Sequence, residues 1–145
     1  MYGKGLNAYR EVTVTTADPK RLVIMCYEGA IRHLRLAKEK FISKEFEEKY
    51  ELILKAQAII SELRQALDFE RGGEIAKNLD MIYSYMIKRI TRGDIKNDIF
   101  AYDEVINMLD ELKSAWTEVF YGRVEAGCSL AYGAEQHSFE LAVGM

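Results

Sequence analysis

The chain has 145 residues, one proline and a formal net charge of −3 at pH 7. This length suits one domain with a substantial core. The acidic balance argues against nucleic acid as the main partner, because phosphate binding needs a clustered basic surface. The longest apolar run, residues 22–27, is far shorter than the roughly 20 residues of a membrane span, and the N-terminus lacks a signal peptide's apolar stretch. We therefore expect a cytoplasmic protein without a membrane span, in which Cys26 and Cys128 stay reduced.

Residues 1–17 lack a helical pattern and end in a β-branched run, Val12-Thr13-Val14-Thr15-Thr16. Such residues are stiff at χ1 and are poor helix formers. The segment is therefore predicted to be an extended N-terminal arm. Asp18 followed by Pro19 predicts the start of a helix, because aspartate caps free N–H groups and proline suits the first helical position.

Apolar residues then recur at helical spacing and predict four helices, over residues 18–43, 44–67, 74–92 and 99–121. Gly72-Gly73 predicts the reversal between the second and third helices. Short loops join only antiparallel neighbours, so residues 18–121 are predicted to form an all-α, antiparallel up-down four-helix bundle. Residues 122–145 show no strong period. This pattern leaves open whether the tail is an extra helix or a mobile segment.

Residues suited to catalysis or metal binding are scarce. Neither His33 nor His137 has the glutamate three residues before it that a di-iron site in a bundle requires. His33 lies on the apolar face of the first helix, which favours a core-edge histidine with a hydrogen-bonded nitrogen over a haem ligand. Acidic residues alternate with bases around Lys49, which predicts a solvated face. The sequence therefore predicts no enzyme activity, no cofactor and no metal.

The second and third helices carry more apolar surface than one core requires. On the third helix the apolar arc spans roughly 140°, and Met81 and Tyr85 add apolar surface on the opposite side. A helix with two neighbours needs a wide arc, which accounts for most of these residues. The alternative is that part of this surface forms grooves for another chain, where methionine adapts its shape and tyrosine keeps a polar end in water.

Several stretches along the chain form a specific ordered pattern. They are residues 6–19 in the arm, Tyr27-Glu28-Gly29-Ala30-Ile31, residues 67–79 around Gly72-Gly73-Glu74-Ile75-Ala76, Tyr83-Ser84-Tyr85-Met86, Ile95-Lys96-Asn97-Asp98 and Ala115-Trp116. In this order they resemble the flagellar secretion chaperones of the FliS family. The resemblance covers about residues 6–120, and the tail from Gly122 follows no family pattern. Glu28 stands where the family usually has aspartate.

The resemblance implies a cytosolic chaperone that binds the disordered C-terminal segment of flagellin, prevents its premature polymerisation and aids its delivery to the flagellar export apparatus. An amphipathic segment of this kind folds as helices onto apolar grooves. The alternative function is a structural or regulatory bundle that self-associates through the same surface, and a homodimer without ligand is compatible with either.

The resemblance also implies candidate partner-binding residues. Leu6 and Tyr9 stand where the family's arm contacts the bundle and influences flagellin binding. For the groove candidates on the helices, an ordinary core position is the alternative. These candidates are Ala56, Ile60, Leu63 and Leu67 on the second helix and Ile75, Leu79 and Tyr83 on the third.

Overall fold

The computed structural model describes residues 18–122, which form four helices and no strand. The helices are α1 (Pro19–Ile42), α2 (Phe46–Gln65), α3 (Phe69–Ile95) and α4 (Phe100–Tyr121). Consecutive helices pack on each other and α1 also packs on α4, whereas the diagonal pairs bring no Cα atoms within 8 Å. The predicted all-α four-helix bundle is confirmed. Within the described residues, no helix is long and apolar enough to cross a membrane.

Helix α1 begins where the sequence predicts. The Asp18 Oδ1 atom accepts a hydrogen bond of 2.8 Å from the Arg21 N–H group, and Pro19 occupies the first turn. The helix ends at Ile42, and Lys44 adopts a φ of 63° in the short connection to α2. The predicted arm, residues 1–17, and the tail beyond Gly122 lie outside the described residues.

The connection between α2 and α3 lies earlier than predicted. The sequence placed the reversal at Gly72-Gly73, but α2 ends at Gln65 and α3 begins at Phe69. The reason is Asp68, whose side chain accepts a hydrogen bond of 3.0 Å from the Arg71 N–H group and caps the new helix. Gly73 instead produces a kink inside α3, since its φ of 51° and ψ of −127° are not helical.

Helix α3 also ends later than predicted, at Ile95 instead of residue 92. Gly93 is buried inside its last turn, where a Cβ atom would overlap the Cβ atom of Ala101. Here glycine permits the close approach of α3 and α4 just before their connection. A glycine near the end of an apolar series is therefore not always a helix stop.

The centre of the bundle contains a buried polar cluster made by Tyr27, Tyr83 and Trp116. The Trp116 Nε1–H group donates to the Tyr27 hydroxyl at 2.9 Å, and the Tyr27 and Tyr83 hydroxyls hydrogen-bond to each other. Burial raises the pKa of Tyr83 to about 12. Hydrogen bonds of this kind offset the cost of burying polar groups in an apolar core. Fully buried neighbours in that core include Ala30, Leu34, Ile60, Met86, Ile90, Val105 and Leu109.

The prediction of a solvated face at the start of α2 is wrong for Lys49. The neighbouring glutamates are exposed, but Lys49 is only 6% exposed. Its Nζ atom pairs with Asp94 and lies 5.7 and 5.2 Å from the ring centroids of Phe41 and Phe46. The aliphatic part of the Lys49 side chain therefore packs inside the bundle, while Asp94 and the two rings compensate its charge. The alternation of charges along the sequence does not reveal this burial.

His33 lies at the core edge, as predicted, but its Nδ1 atom is buried with no hydrogen-bond partner among the described residues. The predicted hydrogen-bonded nitrogen is therefore wrong for Nδ1. Burial lowers the pKa of His33, and the positive charges of Arg32 and Lys55 lower it further.

Candidate partner-binding site

The groove candidates named from the resemblance lie mostly inside the bundle. Ile75 is half-buried against the core, whereas Leu6 and Tyr9 lie outside the described residues. The wide apolar arcs of α2 and α3 thus serve largely to contact two neighbouring helices. Contact of these residues with a partner stays a prediction. The buried members are Ala56, Ile60, Leu63, Leu67, Leu79 and Tyr83.

An apolar groove runs on the outside of the seam between α3 and α4. It has a volume of about 190 Å³ and is lined by Ile82, Met108, Leu112 and Glu111. The three apolar side chains are half-buried and pack against the edge of the core. We call Ile82, Met108 and Leu112 the apolar triad. This surface is partly shielded from solvent and leaves room for another side chain.

The helical period explains why these three side chains border the seam. On α3 the core positions Leu79 and Tyr83 are buried, and Ile82 falls about 100° from Tyr83 around the helix, at the edge of that stripe. On α4, Leu109 is buried, while Met108 and Leu112 are one turn apart on the side that faces α3. Both helices thus contribute the margin of an apolar stripe to one groove.

Polar contacts close the groove at the end nearer the α3–α4 connection. The Tyr85 hydroxyl donates to the Glu104 carboxylate, and the Arg89 Nε–H group donates to the same carboxylate at 2.9 Å. Arg89 also pairs with Asp98 at 3.3 Å. Hydrogen bonds from Tyr85 and Arg89 lower the pKa of Glu104, so this carboxylate stays charged at the rim.

Apolar surface continues from the groove onto the outer side of α3. Tyr85 is 46% exposed despite its hydrogen bond, and Met81, one turn earlier, is 65% exposed. The sequence singled out both residues as surplus, and the structure places both on the surface. Met108 was missed, although its i, i+4 spacing to Leu112 beside a core series was the available signal.

Polar contacts cross the seam between α2 and α3 at both Asp80 and Thr91, whereas those from α3 to α4 lie at Tyr85 and Arg89, beyond the apolar triad. Gln57 donates to the Thr91 hydroxyl at 2.8 Å, and Arg64 donates to Asp80 at 2.5 Å. Bridges of this kind cover the seam with polar groups. Of these two seams, the one between α3 and α4 is therefore the better surface for an apolar partner segment.

Residues 18–122 contain no group of three or more His, Cys, Asp or Glu side chains that could hold a metal ion. Cys26 is buried in the hydrophobic core, where it packs as a small apolar side chain. What the groove offers is an adaptable apolar surface with a charged rim.

The chain is similar to a known protein family and to named members of that family. The sequence profile of the family described as flagellar protein FliS matches residues 2–122. The chain is 41% identical over 117 residues to flagellar secretion chaperone FliSB of Pseudomonas aeruginosa, covering 78% of this chain and 93% of that protein. It is 40% identical over 118 residues to flagellar secretion chaperone FliS of Vibrio cholerae, covering 79% of this chain and 87% of that protein. It is 34% identical over 111 residues to flagellar secretion chaperone FliS of Bacillus subtilis, covering 77% of this chain and 82% of that protein. The chain therefore belongs to the family of the flagellar protein FliS.

Proposed function

We propose that this protein is a cytoplasmic export chaperone that binds the C-terminal segment of flagellin, prevents its premature polymerisation and aids its delivery to the flagellar export apparatus. The relatives named above are flagellar secretion chaperones. In this proposal the protein acts by binding and catalyses no reaction. The observation that carries it is the half-buried apolar triad of Ile82, Met108 and Leu112 between α3 and α4.

The chemistry of the groove fits an amphipathic segment that folds as it binds. Such a segment hides its own apolar face when it lays anchors at helical spacing into a groove, which removes the surface through which it would self-associate. Met108 adapts to anchors of different shape, and Tyr85 covers apolar surface while its hydroxyl stays hydrogen-bonded at the rim.

Calorimetric titration of the full chain with a peptide of the flagellin C-terminal segment tests this proposal. We expect a one-to-one complex and new helicity by circular dichroism. Met108→Lys places a charge in the groove and is expected to weaken binding about tenfold or more. The matched control is Tyr50→Lys, since Tyr50 is 55% exposed on α2. No binding at concentrations on the order of 10 μM would contradict the proposal.

The arm is the second part of the proposal. In this proposal Leu6 and Tyr9 influence flagellin binding, as the family resemblance implies. Tyr9→Ala should then change the peptide affinity and leave the melting temperature nearly unaltered. A large loss of stability would instead assign Tyr9 to the core.

Self-association is a second candidate function. It is favoured by exposed apolar residues at the end of the bundle where the α1–α2 and α3–α4 connections lie. Ile42, Phe46, Ile95 and Phe100 are 66%, 51%, 74% and 72% exposed. All four lie at one end because the α1–α2 and α3–α4 connections share that end in an antiparallel bundle. Sedimentation would favour this candidate if it showed a stable dimer that the flagellin peptide leaves intact and that Phe100→Lys dissociates.

A further inference from the structure

A second groove lies on the other flank of α4, between α1 and α4. It has a volume of about 380 Å³. Its apolar part consists of Ile31, which is 4% exposed, and Leu36, which is 38% exposed. Its walls carry the charged residues Glu28, Arg32, Arg35, Asp110 and Lys113.

Charged side chains line this groove without bridging it, whereas ion pairs cross the bundle surface at two other places. The seam between α2 and α3 is bridged by Arg64 and Asp80 at 2.5 Å, and nearer the loop end α1 and α4 are themselves bridged by Lys38 and Asp103 at 2.7 Å. Among residues 18–122, the groove residues Arg32, Arg35, Asp110 and Lys113 form no ion pair and no side-chain hydrogen bond. Glu28 pairs only with Arg21 of its own helix, at 3.8 Å.

The two arginines define what such a groove can recognise. Arg32 and Arg35 are exposed and lie three residues apart, on one face of α1. Each guanidinium presents a fork of N–H donors that fits a carboxylate in a bidentate manner. The adjoining Leu36 offers an aliphatic contact beside these forks.

The opposite wall restricts the partner further. Asp110 repels a uniform polyanion and, like Lys113, can pair with a charge of opposite sign. A peptide segment that has carboxylates on one face and an aliphatic residue beside them satisfies the arginines and the apolar floor together. Its mixed side chains also tolerate Asp110, which the regular charge of a nucleic acid does not.

We propose that the groove between α1 and α4 binds an acidic amphipathic helix of a partner protein, with its carboxylates on Arg32 and Arg35 and an aliphatic side chain on Ile31 and Leu36. This surface is separate from the groove between α3 and α4 and goes beyond the flagellin-binding proposal. The two sites share only α4, to which they lie on opposite sides.

Fluorescence anisotropy on the full chain tests the proposal. The probe is a fluorescein-labelled synthetic helical peptide in which glutamates at i and i+4 flank a leucine, and its matched partner has glutamine at both positions. The double variant Arg32→Ala/Arg35→Ala is expected to weaken binding of the acidic probe about tenfold. The control variant Lys88→Ala/Arg92→Ala removes two exposed cations from α3 and should leave the affinity unchanged. Binding should also weaken as salt is raised.

Four results would overturn the proposal. Three of them are no binding of the acidic probe, equal binding of the glutamine probe, and equal losses in the two double variants. Displacement of the probe by the flagellin peptide would also overturn it, because that result would put both ligands in one site. The two proposals fail separately. If the acidic probe binds with the expected arginine dependence and the flagellin peptide does not bind, the flagellin proposal fails and this one stands.

Discussion

Lys49 on α2 and Asp94 near the end of α3 form an ion pair, with 2.5 Å between Nζ and Oδ1. The lysine side chain is 8% exposed and the aspartate side chain 20%. Removing one partner of a buried pair leaves a charge without compensation, so we expect Asp94→Asn to lower the free energy of unfolding by about 3 kcal/mol in urea denaturation.

The matched control for this prediction is Asp80→Asn. Asp80 pairs with Arg64 at the same distance of 2.5 Å, but these side chains are 29% and 44% exposed. Exposed pairs contribute about 1 kcal/mol or less, so the control should lose far less stability. Equal losses in the two variants would show that burial of Lys49 does not decide the cost.

The buried tyrosines should differ in their contributions to stability. The Tyr27 hydroxyl has hydrogen bonds with both Trp116 and Tyr83. Tyr27→Phe removes both bonds and should cost about 2 kcal/mol, whereas Tyr83→Phe removes one and should cost about 1 kcal/mol. Tyr50→Phe, at a side chain that is 55% exposed, should be nearly neutral. Chemical denaturation of the three variants gives the order, and the reverse order for the buried pair would contradict the hydrogen bonding described.

His33 should make stability depend on mildly acidic pH. Burial, with Arg32 and Lys55, lowers the pKa of His33 in the folded state. Between that lowered value and 6.5 the unfolded chain binds more protons, so the stabilising contribution is present above pH 6.5 and is lost as the pH falls. The urea midpoint should therefore decrease from about pH 7.5 to about pH 5.5.

His33→Gln is the control for this pH dependence, because it removes the titrating group and retains His137. The difference in urea midpoint between the two pH values should be smaller in this variant than in the native chain. An unchanged difference would assign the pH dependence to other groups.

Two glycines should respond in opposite directions to alanine. At Gly93 the added Cβ atom would overlap the Cβ atom of Ala101, and forcing α3 and α4 apart should cost about 2 kcal/mol. At Gly29 the nearest atom would be the Ile59 Cδ1 atom at 3.4 Å, which is ordinary contact. Gly29→Ala should then stabilise the chain by up to about 1 kcal/mol through helix propensity. Thermal unfolding of the two variants measures both effects, and destabilisation by Gly29→Ala would contradict the space described there.

Helix positions followed well from local signals where one residue dominates. Asp18 and Pro19 predicted the start of α1, and the cap is formed as expected. Gly72-Gly73 misled because a stronger cap, Asp68, lay a few residues earlier. A glycine pair shows only that the backbone is free to leave helical geometry, and Gly73 uses that freedom for a kink within α3.

The candidate binding surface was harder to predict than the fold. A wide apolar arc does not show which margin meets a neighbouring helix, so the predicted groove residues Ile60 and Leu79 are core in the structure. The i, i+4 spacing of Met108 and Leu112 indicates the edge of an apolar stripe, but the packing of α3 on α4 is needed to show that this edge lines one groove with Ile82. Lys49 was missed for the same reason, since its partner Asp94 is distant in sequence.

The hydrogen bond between Tyr27 and Tyr83 joins α1 and α3, which are diagonal helices with no Cα atoms within 8 Å of each other. Four amphipathic helices of similar length can in principle slide along one another by a turn, about 5.4 Å, and still bury apolar stripes. Such a slide would separate these two hydroxyls beyond bonding distance and leave polar groups unsatisfied in the core. The tyrosine pair therefore fixes the position of α1 relative to α3 along the helix axes. It thereby also fixes the register of the residues that line the outer grooves.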